Sequence, residues 1–172
     1  MATNPHLILC NGALPKSKRP KEWSKVEPQC LSTLKGHENV TLKIGDLTDR
    51  MVEKLPVVIH DLVELAALIY AADQCSKRTG GKTIDWGEKW HRTFRFEVMV
   101  RDPDFWNQDD VQAALIDTLS FLSGDDYEFE FTGYKDVPHF PDYLEYNKTA
   151  PPPEPVERVI LFSGGLDSLT GA

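Results

Sequence analysis

Towards its C-terminal end the sequence runs from the apolar segment Val159-Ile-Leu-Phe162 straight into Ser163-Gly164-Gly165-Leu166-Asp167-Ser168. A buried strand that breaks into two glycines and then meets hydroxyl and carboxylate side chains is what a phosphate-cradling turn between a strand and a helix requires. Gly164 and Gly165 open backbone angles closed to other residues and let the main chain press close to a ligand. The amides that follow point outward at a helix start, where partial positive charge gathers and anions settle. The hydroxyls of Ser163 and Ser168 add direct hydrogen bonds to phosphate oxygens. The competing explanation is an ordinary Gly-Gly turn with Asp167 or Ser168 as an N-cap; the strand directly ahead of the turn favours phosphate. No Lys follows the glycines, which excludes a Walker-type loop, and the glycine spacing of a dinucleotide fingerprint is absent.

Ser163 to Ser168 after such a strand resembles the PP-loop of the ATP pyrophosphatase (adenine nucleotide α-hydrolase-like) superfamily. Within it, the run from Val159 to Ala172 is most similar to the 7-cyano-7-deazaguanine synthase (QueC) family. The long stretch ahead of the loop resembles the longer QueC-like proteins of anti-phage defence loci such as the Qat type. The resemblance implies an adenylating ligase that binds ATP and Mg2+, lets a substrate oxygen attack the α-phosphorus and releases pyrophosphate. It also implies that Ser163, Gly164, Gly165 and Ser168 hold phosphates, with Leu166 completing the loop and Asp167 orienting it or its magnesium. The family's zinc ligands and substrate-binding residues would fall beyond Ala172. Catalytic and metal-ligating residues are therefore unassigned, and the segment 158–172 is expected to be the truncated start of a nucleotide-binding domain. Related families fit less well. A glutaminase with an N-terminal nucleophile finds no Cys before Cys10, none of Cys10, Cys30 and Cys75 sits on a glycine-flanked elbow, and there is no Cys-x-x-Cys of the thiolating enzymes.

The rest of the chain must position that loop or serve it. With 172 residues and 41% hydrophobic content it can build one ordinary core. A net charge of −8 argues against generic binding to nucleic acid or anionic membrane. Charge is uneven: between Asp102 and Glu130 there is no Lys or Arg, whereas Lys16, Lys18, Arg19, Lys21 and Lys25 cluster early. Such runs are ordinarily solvated surface; their functional alternative is a polarised face that orients a protein partner. Three scattered cysteines imply reduced thiols, the apolar run at Leu7 is too short for a signal peptide, and the apolar stretch 55–72 carries His60, Asp61 and Glu64 and reads as a core helix. A cytoplasmic protein is the expectation.

Period and punctuation predict an α+β domain over 1–134, with about four strands and two to three helices. Expected strands are His6–Cys10, Val40–Ile44, 93–100 with Phe94, Phe96, Val98 and Val100 on one face, and a last strand carrying Tyr127, Phe129 and Phe131. Residues 13–37, with Pro15, Pro20 and Pro28, are expected to be an extended surface excursion. One helix is expected in two pieces around Pro56, its second piece burying Val58, Leu62, Leu65, Ile69 and Ala72. Another starts at Asn107 with Asp109 and Asp110, buries Val111, Leu115, Thr118, Leu119 and Leu122, and ends at Gly124. Six prolines between Pro138 and Pro155 mark a linker over 135–157.

Smaller candidates carry ordinary explanations. His60 beside Asp61 suggests acid–base chemistry but has no nucleophile near it in sequence, and His91 and His139 read as structural. Trp86 and Trp90 could stack a base or a partner's side chain, although loop aromatics more often fold back on their own domain. Asp102, Asp104, Asp109 and Asp110 lack calcium-loop spacing and suit helix capping. A second function class therefore stands beside the enzyme: a non-catalytic module over 1–134 that docks a companion protein or substrate.

Overall fold

A computed structural model describes residues 4–14, 20–42, 56–78 and 91–137. Four strands form one sheet: β1 (Asn4–Cys10), β2 (Pro28–Leu31), β3 (Arg92–Val100) and β4 (Asp126–Gly133). Their spatial order is β2-β1-β3-β4, and all three pairings are parallel. Among the described residues three helices accompany them: α1 (Val57–Cys75), the single turn α2 (Pro103–Trp106) and α3 (Asp109–Ser123), with a 3-10 turn at Lys21–Trp23. The mixed content and the element count agree with the expected α+β domain. Parallel pairing requires long crossovers, and the helices supply two of them.

Register explains the core. Because side chains alternate faces along a strand, His6, Ile8 and Cys10 of β1 stand opposite Phe94, Phe96 and Val98 of β3. These in turn face Tyr127, Phe129 and Phe131 of β4. Neighbouring aromatics on one face are forced into stacks, with ring centroids 5.6 Å apart for Phe94 and Tyr127 and 5.3 Å for Phe96 and Phe129. Leu65, Leu68 and Ala72 of α1 close over this face, and Val111, Leu115 and Leu119 of α3 pack against it partly buried. The helical stripe expected on α1 is thus present, except that Leu62 lies at its exposed margin.

The opposite face is different. Arg95 reaches Glu128 at 2.9 Å and Glu130 at 2.6 Å, with Glu97 at 3.7 Å. Leu7, Leu9 and Glu97 are buried there. The 3-10 turn between β1 and β2 lies on this second face, where Trp23 borders a cleft with Pro5, Thr93 and Glu128. α1, between β2 and β3, and α3, between β3 and β4, pack on the aromatic face. Chain movement in opposite directions across the sheet uses opposite faces, as a single crossover hand demands.

Three expectations need correction. The strand Val40–Ile44 does not form over its described part: residues 40–42 lie outside any strand, and the Val40 amide donates to the Ser32 carbonyl at 3.0 Å. The fourth strand is instead β2, inside the stretch expected to be a surface excursion. Pro28 is tolerated because it opens an edge strand, where a missing N–H costs no ladder bond. On α3, Thr118 and Leu122 face outward, because the helix leans on the sheet through Val111, Leu115, Ile116 and Leu119 alone. Gly124 does end that helix, with φ at 73°, a left-handed angle that a Cβ would resist. The helical piece expected before Pro56, the linker beyond 137 and segment 158–172 lie outside the described residues.

Candidate functional site

In an open parallel sheet a ligand crevice forms outside the carboxyl ends of two adjacent strands whose chains leave in opposite directions. Here those strands are β1 and β3. The residues that follow them are Asn11 and Arg101, and the elements that bring further groups to this edge are the start of α1 and the exit of β4.

Asp61, one turn into α1, is the centre of the constellation and is only 2% exposed. Its carboxylate accepts from the Arg101 amide at 3.0 Å, from Arg101 Nη1 at 2.8 Å, from the Asp102 amide at 3.2 Å and from Trp106 Nε1 at 3.3 Å. Glu64, one turn further along the helix, accepts from both terminal guanidinium nitrogens of Arg101, Nη1 at 2.9 Å and Nη2 at 3.1 Å. Burial works against the Arg101 charge, but these carboxylates outweigh it and raise its pKa. Asp102 caps α2 by accepting from the Phe105 amide at 3.0 Å, with Pro103 in the first helical turn. Arg101 also lies over the Tyr134 ring, 5.7 Å from its centroid.

Asn11 completes the edge from the β1 side. It holds a left-handed φ of 55°, which Asn tolerates better than most residues. Its Oδ1 accepts from the Thr33 amide and hydroxyl at 2.9 and 3.2 Å. Its buried Nδ2 and the buried Tyr134 hydroxyl lie near one another without a well-formed hydrogen bond. Burial pushes the Tyr134 phenol far up, so it stays neutral. The chemical character of the edge follows. Asp61 and Glu64 are engaged by Arg101, so the cluster clamps the exit of β3 and the start of α2 and α1 into one rigid rim.

A second charged cluster ties down the opposite, amino-terminal edge. Buried Arg92 forks onto Asp125 at 3.1 and 2.6 Å, donates to the Ser76 carbonyl at 2.9 Å and pairs with Asp73. Arg78 adds a contact to Asp125 at 3.3 Å.

The sequence candidates fall as follows. Ser163, Gly164, Gly165, Leu166, Asp167 and Ser168 lie outside the described residues, as do Trp86, Trp90 and His139. His60 is buried at the rim, and the carboxylate of Asp61 beside it turns to Arg101. His91 meets Asp126 at 2.9 Å at the surface. Among the described residues no cluster of three or more His, Cys, Asp or Glu could hold a metal. Asp109 and Asp110 sit in the first turn of α3, as capping chemistry expects. Sequence reasoning missed Arg101, Glu64, Asn11 and Tyr134; the signal was an arginine closing a strand next to Asp-Pro, with paired carboxylates one helical turn apart. Among the described residues no helix is long and apolar enough to cross a membrane. Comparison of the chain with family models, curated proteins and solved structures finds no match.

His6 and His60 give the domain a pH dependence. Burial, followed by the nearby charge of Arg92 for His6 and of Arg101 for His60, lowers both pKa values. The unfolded chain therefore takes up these protons first, near the ordinary histidine value of about 6.5. Stability contributed by the neutral rings is complete above that value and falls as the pH drops through it. Urea midpoints measured at neutral and mildly acidic pH should show this loss, and His60→Gln should make the slope shallower; an unchanged slope would remove His60 from the account.

Proposed function

We propose that the protein is a QueC-like, ATP-dependent adenylating enzyme in which residues 158–172 open the PP-loop nucleotide-binding domain and residues 1–134 form a docking domain joined to it by the proline-rich linker 135–157. The observation that carries this reading is the apolar run Val159-Ile-Leu-Phe162 followed directly by Ser163-Gly164-Gly165-Leu166-Asp167-Ser168 in the sequence. In this reading Gly164 and Gly165 bring main-chain amides against the triphosphate, and Ser163 and Ser168 add hydroxyl donors. Leu166 keeps the loop on the sheet, and Asp167 orients the loop or its Mg2+. A substrate oxygen, such as a deazaguanine carboxylate in an antiviral defence setting, bonds to the α-phosphorus as the bridge to the β-phosphate breaks and pyrophosphate leaves. The setting is cytoplasmic, and zinc, where used, is held by residues outside this chain's described part.

A specific observation favours a docking role for the N-terminal domain. The carboxylates at its sheet edges are held in structural pairs, by Arg101 at one edge and by Arg92 at the other, which suits a rigid scaffold more than a proton-transfer centre. The nucleotide reading is tested by ATP binding to the protein expressed from its full coding sequence. Gly165→Leu places a branched side chain where the phosphate must approach, and is expected to weaken binding at least about tenfold. Unaltered affinity would sink the PP-loop assignment.

A further inference from the structure

We propose that β4 is the docking edge of the N-terminal domain and that its occupant is an extended strand of a partner protein, added to the sheet through main-chain hydrogen bonds. The inference rests on reading that domain as a docking module and does not depend on the nucleotide loop. The sheet ends in β2 on one side and β4 on the other, and the two edges differ.

The β2 edge is closed. The Asn11 amide donates to the Leu31 carbonyl at 2.9 Å, so Leu31 turns its main-chain groups to β1, while Cys30 and Ser32 turn theirs outward. Asn39 meets them from outside. Its Nδ2 donates to the Cys30 carbonyl at 2.8 Å, and its Oδ1 accepts from the Ser32 amide at 2.7 Å. The Ser32 carbonyl accepts from the Asn39 and Val40 amides at 2.9 and 3.0 Å, and Pro28 brings no N–H. A side-chain amide stands where a further strand would pair, the kind of cover that keeps an edge from recruiting another chain.

The β4 edge is open. The Tyr134 amide donates to the Val100 carbonyl at 3.3 Å, and Gly133 stands opposite Val100. That phase turns the main-chain groups of Glu128, Glu130 and Thr132 to β3 and those of Tyr127, Phe129 and Phe131 outward. Asn107 Nδ2 takes the Phe131 carbonyl at 3.1 Å. Among the described residues nothing pairs with the outward amides of Tyr127, Phe129 and Phe131 or with the carbonyls of Tyr127 and Phe129. An alternating row of donors and acceptors at this spacing is matched by another extended chain. The helix above agrees. α3 has no fully buried residue, and its Ile116 packs on the core without lining the groove towards α1. It takes the flank over the free side of β4, where an added strand would extend its floor.

Charge works against a second copy as the occupant. Two β4 strands paired antiparallel through their outward groups set Glu128 or Glu130 of one copy across from a glutamate of the other, in the registers that join most of the strand. Like charges directly opposite destabilise such a pair. Arg95 does not relieve this, since one guanidinium already serves Glu97, Glu128 and Glu130. The partner strand therefore carries uncharged or basic residues on that face and apolar ones beside Tyr127 and Phe129.

The test follows amide hydrogen exchange by NMR in the full chain. In the free protein the amides of Tyr127, Phe129 and Phe131 should exchange at least about tenfold faster than those of Glu128, Glu130 and Thr132. The probe is a capped peptide of about nine residues, long enough to span β4, alternating Val and Thr between terminal lysines. At about ten times its Kd it should slow the three outward amides about tenfold. Two further peptides carry N-methyl groups, one on every Val and the other on every Thr. Only alternate residues of an added strand face β4, so one of these should lose the protection and the other keep it. Equal effects of the two, or no protection by the parent peptide, overturn the added strand. Slow exchange at the outward amides before any peptide is added overturns the proposed occupant: persistence on dilution assigns the edge to a segment of this chain, and loss on dilution assigns it to a second copy. Protection confined to amides outside β4 strikes this edge and leaves the docking reading standing.

Discussion

Asp61→Ala should unfold the domain at markedly lower denaturant, with a loss of about 4 kcal/mol. The size follows from what one carboxylate does. It receives two backbone amides, at Arg101 and Asp102, together with the Arg101 guanidinium and the Trp106 indole. Its removal leaves these donors buried without their acceptor, and Arg101 is left on Glu64 alone among its described carboxylate partners. An unmet buried donor costs about 1–3 kcal/mol, and groups that share one acceptor are lost together. Asp61→Asn keeps one acceptor oxygen but turns an amide N–H2 towards donors, so it should recover less than half of the loss. Urea titration followed by tryptophan emission measures both, since Trp106 reports directly on the site. A loss below about 1 kcal/mol for Asp61→Ala would mean that the clamp does not hold the β3 exit.

Arg92→Met should cost a similar amount, about 3–4 kcal/mol, for a different reason. Asp125 is 1% exposed, and Arg92 supplies both its forked ion pair and a backbone donor. Truncating the cation strands a buried carboxylate, which is far more costly than deleting the pair. Arg78 at 3.3 Å offers partial relief, and so the loss stays below the upper end of that range. Burial opposes the Arg92 charge, yet Asp125 and Asp73 raise its pKa, so the pair stays intact across the neutral range. The double variant Arg92→Met/Asp125→Asn separates the two contributions. It should be more stable than Arg92→Met alone, because the stranded charge is gone. If the loss of the double variant relative to wild type equals the sum of the two single-variant losses, the pair is not coupled.

Much of the sheet could be read in the sequence where one face alternates. Phe94, Phe96, Val98 and Val100 announced β3, and Tyr127, Phe129 and Phe131 announced β4, because period-two spacing survives whatever pairs with the strand. Gly124 marked the end of α3 because only a left-handed residue closes a helix that way. The pattern failed at β2. Pro28-Gln-Cys-Leu31 has neither alternation nor length, and it is a strand only because Leu31 meets Cys10 across the ladder. The competing alternation at Val40 and Leu42 was equally plausible locally; tertiary packing won, and Val40 rests against the core without joining the sheet. Parallel order was hidden for a related reason. Arg95 and Glu97 made β3 look like a strand with one wet face, whereas Glu97 is buried beside a cation that lets the sheet be covered on both sides. The rim cluster was illegible because Asp61 and Arg101 are joined only by the fold, and adjacency drew attention to His60 instead.

The position of β1 between β2 and β3 has a consequence for synthesis. Ile8 finds its partner Phe96 only after nearly ninety further residues have left the ribosome, an interval of several seconds at about 5–20 residues per second. Until then, among the described elements, Leu7, Ile8 and Leu9 have as companions only the short strand Pro28–Leu31 and, once it has emerged, α1. Slowing translation between α1 and β3 should therefore shift newly made protein towards the insoluble fraction.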